Sequence, residues 1–180
     1  MRIEPAGRVR RLSMEMGAPR LASAAVPMRL DPPLDRVVAH PLEVDGVTFE
    51  VTALSIGNPH CTLFVEDLDE VDVRAVGAAI ERHPAFPERV NVEFVRVEAP
   101  DRLRVLFWER GAGETLSSGT GSSAATVAAA LNGLAGRRVT VETPAGRLEA
   151  EWRETDGVVV LSGPAELVYS GVWGRVAPPA

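Results

Sequence analysis

A chain of 180 residues with a formal charge of −6, 46% hydrophobic and 24% charged residues, can hold one good core or two small ones. The acidic balance and the lack of a basic cluster exclude nucleic acid as a partner. No apolar run approaches the length of a membrane span, and no signal-peptide core opens the chain. One cysteine, Cys61, rules out an internal disulfide framework and suits a reducing cytoplasm, so the expected location is cytoplasmic. His40, His60 and His83 lack metal-ligand spacing, so no metal is expected.

In chain order, residues 1–21 come first. Arg2-Ile3-Glu4-Pro5-Ala6-Gly7-Arg8-Val9 recurs as Val141-Glu142-Thr143-Pro144-Ala145-Gly146-Arg147-Leu148. Each copy is followed by a second matched segment, Met14 to Leu21 and Val160 to Leu167. Both read as a Pro-Ala-Gly turn between strands, then a strand ending in glycine and proline. Such self-similarity signals a duplicated unit, which makes residues 1–21 the closing hairpin of an earlier half. Residues 22–42, with Pro27, Pro32, Pro33 and Pro41, read as a linker. Residues 43–167 form the main domain, and residues 168–180 a proline-rich tail.

Within that domain, Val44 to Ile56 predicts a hairpin turning at Asp45-Gly46. A sharp loop, Gly57-Asn58-Pro59-His60, precedes a strand from Cys61 to Val65. Val71 to His83 sets Val73, Val76 and Ile80 on one helical face, with Asp72 near its start. Asn91 to Val97 and Arg102 to Trp108 predict an antiparallel pair turning at Asp101. Glu109-Arg110 then leads into a loop containing Gly111, Gly113, Gly119 and Gly121, glycines that permit positive φ and close approach of a ligand. The helix from Ser122 to Leu134 is apolar nearly all round, hence buried, with Ser118 or Thr120 as N-cap. Val139–Thr143, Arg147–Trp152 and Val158–Ser162 predict a meander. The fold class is α+β, a mostly antiparallel sheet wrapped around one central buried helix. A glycine-rich loop at a helix N-terminus is an anion site in principle, for phosphate or carboxylate. The lysine of a nucleotide P-loop and the full dinucleotide fingerprint are both absent.

Three segments taken together are more specific than any of them alone: Gly57-Asn58-Pro59-His60, Phe86-Pro87-Glu88-Arg89-Val90-Asn91-Val92-Glu93-Phe94, and Trp108 to Thr115 with Ser118-Gly119-Thr120-Gly121. In order and spacing they resemble the C-terminal half of diaminopimelate epimerase, over almost the whole chain. The resemblance implies one half of a two-domain, cofactor-independent enzyme with its active site between the domains. It interconverts LL- and meso-diaminopimelate in lysine biosynthesis. Two cysteines on opposite faces of the α-carbon remove and return the proton, since inversion needs an acid and a base on opposite sides.

The resemblance also implies roles. Asn58 and Asn91 bind the distal amino acid end of the substrate, and Arg110 its carboxylate. Glu109 contacts the substrate amino group and tunes the acid–base pair, His60 assists the other cysteine, and Gly119 and Thr120 offer backbone N–H groups to the α-carboxylate. The family's second cysteine falls at Ser118, whose hydroxyl is a far weaker acid than a thiol. That leaves open a natural loss, a deliberate exchange that traps substrate, or a change of reaction to a racemase-like dehydratase. The half bearing the first cysteine is expected to be absent, so the chain is expected to be inactive alone. A non-catalytic binding domain is the alternative, and a homodimer would cover the open cleft face.

Overall fold

Val51-Thr52-Ala53-Leu54-Ser55 and Pro59-His60-Cys61-Thr62-Leu63 lack the alternation of a half-buried strand, and every residue in both runs is buried. The computed structural model, which describes residues 2–6 and 9–166, shows why. The runs belong to strands β4 (Val47–Ser55) and β5 (Pro59–Phe64), and a helix covers each face of the sheet there. On one face lies α1 (Val73–Glu81), whose Val73 and Ile80 pack with Val51, Ala53, Cys61 and Leu63. On the other lies α2 (Gly119–Leu131), whose Ala124, Val127 and Ala128 pack with Leu54 and Ile56. Burial on two faces removes the need for polar alternation.

The remaining strands are β1 (Arg2–Ala6), β2 (Val9–Gly17), β3 (Val37–Val44), β6 (Asn91–Ala99), β7 (Arg102–Glu109), β8 (Gly113–Thr115), β9 (Arg138–Thr143), β10 (Gly146–Trp152) and β11 (Val159–Glu166). They form one sheet in the order β1-β2-β11-β10-β9-β7-β6-β5-β4-β3, with β8 attached to β7. The fold is thus mixed α+β, with a large sheet and two helices. The parallel pairs are β5–β6 and β7–β9, and the chain crosses over through α1 in the first and through α2 in the second. The described pairings are otherwise antiparallel. Helix α2 touches strands β4 to β7 and β9 to β11. Val95, Leu103, Val105, Phe107, Val139, Val141 and Ala150 close on its Ala125 and Ala129. Alanine on the helix lets it approach the sheet closely, while the sheet supplies the bulk.

Several boundaries differ from the sequence reading for identifiable reasons. α2 begins at Gly119 and stops at Leu131, three residues short of Leu134. Gly133 takes φ 68°, the Gly133 N–H donates to Ala130 O and the Leu134 N–H to Ala129 O, which is a Schellman ending. Leu134 is therefore outside the helix and 44% exposed. α1 starts after Asp72, whose Oδ1 accepts from the Ala75 N–H at 2.9 Å, and ends before His83. Residues 37–42, expected within a linker, form most of β3, and Pro41 sits in this edge strand where a missing N–H is tolerated. The Asp45-Gly46 turn joins β3 to β4 with positive φ at both residues, as a two-residue hairpin requires.

Both Pro-Ala-Gly segments lie in hairpins, β1–β2 and β9–β10, although Gly7 and Arg8 lie outside the described residues, as does the tail 168–180. β2 pairs along β11, where the hydroxyls of Ser13 and Ser162 meet at 2.7 Å. The hairpin of residues 1–21 thus shares a sheet with the rest. β11 continues through Gly163-Pro164 to Glu166 instead of ending there.

Gly77 on α1 rests on Trp108. A Cβ there would lie 2.7 Å from Trp108 Cβ and Cγ. Overpacking costs about 1–3 kcal/mol, against about 1 kcal/mol gained from alanine's helix propensity. The clash is with atoms next to the backbone, which cannot rotate away, so the steric cost prevails. Gly77→Ala is expected to lower unfolding free energy by up to about 2 kcal/mol in a urea titration; a raised midpoint would mean that α1 does not pack on Trp108.

Candidate active site at the start of helix α2

The polar side chains of the sheet's α2 face gather where the helix begins. Successive strand residues face opposite sides, so His60 and Thr62 on β5, and Asn91 and Glu93 on β6, share the face opposite Cys61 and Val92. The parallel register sets His60 beside Asn91 and Thr62 beside Glu93. Phe107 and Glu109 on β7 continue the same face. Sequence reasoning placed His60 in a loop and Thr62, Asn91, Glu93 and Phe107 in separate strands; the register brings them together.

Ser118 is the N-cap of α2. Its backbone is extended, and its Oγ accepts from the Gly121 N–H at 3.2 Å. The side chain is buried, with 7% exposure. Gly111 and Gly113 take positive φ and turn β7 into β8. Gly119 and Gly121 do not, because they are already helical. At 121 the constraint is steric: a Cβ would lie 2.9 Å from Phe107 Cδ1 and 3.0 Å from Glu93 Oε1. The helix start therefore lies directly on β6 and β7.

A chain of hydrogen bonds runs beneath it. His60 Nδ1 lies 2.6 Å from Glu93 Oε1, and both side chains are fully buried. His60 Nε2 lies 2.9 Å from Asn58 Oδ1, and Asn58 Nδ2 donates to Thr120 Oγ1 at 3.3 Å. Thr62 Oγ1 donates to Glu93 Oε2 at 3.4 Å. Burial raises the Glu93 carboxyl above its ordinary range despite His60 and Thr62, and the Glu109 charge adds to the rise. Both ring nitrogens of His60 thus have partners within the chain.

Asn91 ties the loops. Its Nδ2 donates to Pro59 O at 2.8 Å, and its Oδ1 accepts from the Arg110 N–H at 3.0 Å. The Arg110 guanidinium donates through one nitrogen to Glu88 O, and Glu109 Oε1 accepts from Thr115 Oγ1 at 2.6 Å. Asn58, His60, Ser118, Gly119 and Thr120 are therefore linked at the first turn of α2, and Asn91 joins the loop at Pro59 to the turn that carries Glu109 and Arg110. Cys61 lies on the other face, and burial, with Glu93 nearby, keeps its thiol well above the ordinary range and unreactive. His83 is elsewhere, bonded to Glu43 O.

Two residues were missed. Glu93 was quoted in a motif without a role; its signal was a carboxylate set between the apolar Val92 and Phe94 in a strand. Glu81, at the end of α1, is buried and accepts from Trp108 Nε1 at 2.8 Å, from the Gly111 N–H at 3.1 Å and from Arg89 at 3.4 Å. It braces the turn that carries Glu109 and Arg110. Nothing in its local sequence distinguished it from a solvated helix end.

This architecture is shared with a hydroxyproline epimerase from Agrobacterium vitis solved with bound trans-4-hydroxy-L-proline. The two superpose with a TM-score of 0.60 at 13% identity, over 92% of this chain and 53% of that one. At such identity the likeness is one of fold. The sequence comparison is sharper. The family model for diaminopimelate epimerase matches residues 52–168. The chain is 52% identical over 165 residues to a diaminopimelate epimerase of Pelotomaculum thermopropionicum, covering 92% of this chain. It is 48% identical over 161 residues to one from Cyanothece, covering 89%. The chain belongs to the diaminopimelate epimerase family, and it spans 58% of the length of each of these two relatives.

Two outcomes follow from the site. Ser118→Ala removes the cap of α2 and is expected to cost about 0.5–2 kcal/mol in denaturant unfolding; no loss would show that the cap bond does not form. Burial acts to raise the Glu81 carboxyl, but the bonds from Trp108 and Gly111, with Arg89 and Arg82, hold it below its ordinary value. A depressed folded pKa stabilises above the unfolded value of 4.5, and that stability is lost as pH falls through the folded one. Glu81→Gln should therefore lower stability at neutral pH and flatten the acid limb of the stability–pH curve below pH 4.5; an acid limb as steep as in the parent would contradict this.

Proposed function

We propose that this chain supplies one half of a diaminopimelate epimerase site, in which its sheet wraps α2 as one of two similar domains. The reaction interconverts LL- and meso-diaminopimelate in the cytoplasm, for lysine synthesis. No cofactor is needed. One group takes the α-proton, the carbanion is held at the carboxylate, and a second group returns a proton to the opposite face, so nothing is gained or lost. The observation that carries the reading is the meeting of all three family motifs at the first turn of α2.

The N–H groups of Gly119 and Thr120 have no partner within the helix, as at any helix start, and suit the α-carboxylate and the charge that develops there. Arg110, with its guanidinium only partly engaged, takes the distal carboxylate. Asn58 and Asn91 line the distal end, each with an amide hydrogen beyond those used above. Glu109 meets the substrate amino group. Ser118 holds the family's cysteine position and offers almost no anion at neutral pH. His60 serves the site through Asn58. A second copy of the chain is the expected partner at the open side of the site.

A second reading, a binding domain without turnover, is favoured by one observation: the Ser118 hydroxyl is engaged as a helix cap.

The test is α-proton exchange of LL-diaminopimelate in D2O, followed by NMR. It is run on the chain alone and on the chain joined to the N-terminal part of the Pelotomaculum relative, each with Ser118 and with Ser118→Cys. Exchange is expected only in the extended Ser118→Cys protein. A folded extended Ser118→Cys protein that binds diaminopimelate without exchange would establish the second reading instead.

A further inference from the structure

Glu81 is the last residue of α1, and two features of that place oppose a carboxylate. The C-terminus is the negative end of the helix dipole, and the residue is buried, with 3% exposure. What offsets them comes mainly from one turn. Oε2 accepts from the Trp108 indole N–H at 2.8 Å, and Oε1 from the Gly111 backbone N–H at 3.1 Å. An indole N–H and a backbone N–H only donate, so the direction of both bonds is fixed. Residues 108 and 111 flank Glu109 and Arg110, so the two oxygens of one carboxylate bracket that pair. The indole itself spans from α1 to β8. A Cβ on Gly77 would lie 2.7 Å from Trp108 Cγ, and one on Gly113 would lie 3.5 Å from Trp108 Cη2. Within the bracket, the Arg110 N–H donates to Asn91 Oδ1 and the Ala112 N–H to Glu109 O. The successive N–H groups of residues 110, 111 and 112 are thereby all held, although the residues themselves are exposed.

We infer that Glu81 is a positioning residue for recognition of the substrate's distal carboxylate: it fixes the backbone from which Arg110 reaches that group, and so makes the site's preference for a second carboxylate depend on α1. This rests on the proposed function for the identity of the ligand, but not for the geometry of the turn. Arg110 has a long, exposed side chain, and its guanidinium donates through one nitrogen to Glu88 O at 2.9 Å. A side chain of that length delivers its charge to one place only when its root is still. Glu81 acts on that carbonyl as well, since Arg89, next to Glu88, donates to Glu81 Oε1 at 3.4 Å. Displacing the carboxylate therefore moves the backbone of Arg110 and loosens the segment that receives its guanidinium. Glu109 has a separate anchor, the Thr115 hydroxyl at 2.6 Å, so the loss falls mainly on Arg110 and on the carboxylate it takes.

The test compares diaminopimelate with lysine, the same molecule without one carboxylate, as ligands of the extended Ser118→Cys protein in calorimetric titrations. The parent is expected to prefer diaminopimelate, and Glu81→Gln to shrink that preference about tenfold or more. Glutamine has one acceptor oxygen where the carboxylate has two, so either Trp108 or Gly111 loses its partner. Asp72→Ala is the control for stability alone: it removes the cap at the other end of α1 and should keep the parent's preference. A folded Glu81→Gln protein with the parent's preference, or an equal loss in Asp72→Ala, would overturn the proposal. Trp108→Phe keeps a ring against Gly77 and deletes only the indole N–H, so it cuts the same bracket if Glu81→Gln does not fold. A reduced preference is expected there too, and an unchanged one would overturn the proposal. In the chain alone, the Gly111 and Arg110 amides are expected to exchange hydrogen faster in Glu81→Gln than in the parent; equal rates would overturn the hold of Glu81 on the turn. An extended parent that does not bind diaminopimelate would sink the proposed function, while the exchange result would still decide that hold.

Discussion

No side chain fits between the first turn of α2 and the sheet at residue 121. Phe107 and the Glu93 carboxylate already occupy that space, so the helix start and two strands are in contact with nothing between them. The rest of the site follows from this approach. It brings Thr120 within reach of Asn58 and places the helix's unpaired N–H groups above β6 and β7. It also leaves Ser118 to close the first turn. The alanines further along α2 serve the same end, since each lets the sheet come nearer than a larger residue would.

Close approach has a cost, because it buries polar groups. A lone carboxylate in such a place would be expensive to desolvate, by several kcal/mol. Glu93 is not alone: His60 and Thr62 hold both its oxygens. Buried pairs of this kind seldom add net stability, since desolvation consumes most of the attraction. Their use here is orientation. Glu81 shows the same economy on the other face of the sheet. There a single carboxylate joins the indole of Trp108, the backbone at Gly111 and Arg89, and so fixes the turn that presents Glu109 and Arg110.

Much of this was legible before any coordinates. Asp45-Gly46, the Pro-Ala-Gly hairpin of β9 and β10 and the all-apolar helix each carry a strong local signal, and the structure has each of them, the helix three residues earlier than expected. The eight site residues were named from the family resemblance; hydrogen bonds join Asn58 to His60 and Thr120, and Asn91 to the backbone of Arg110. What escaped notice was non-local. β3 hid behind prolines because an edge strand tolerates them. The end of α2 at Asn132-Gly133 was overlooked because the apolar pattern continued past it. Gly119 and Gly121 looked like turn glycines, but at 121 the reason is a neighbour far away in sequence. Glu81 and Glu93 acquire meaning only once strands and helices are packed.

The pairing of β2 with β11 has a temporal consequence. Ser13 and Ser162, which meet across that pair, are 149 residues apart in the chain. A ribosome adding about 5–20 residues per second needs on the order of ten seconds or more to cover that gap. Until then β2 has no partner on the side that β11 will occupy, and an open strand edge is a template for pairing with other chains. The nascent chain thus carries an unsatisfied edge from the emergence of β2 until β11 has been made, and β11 is the strand that covers it.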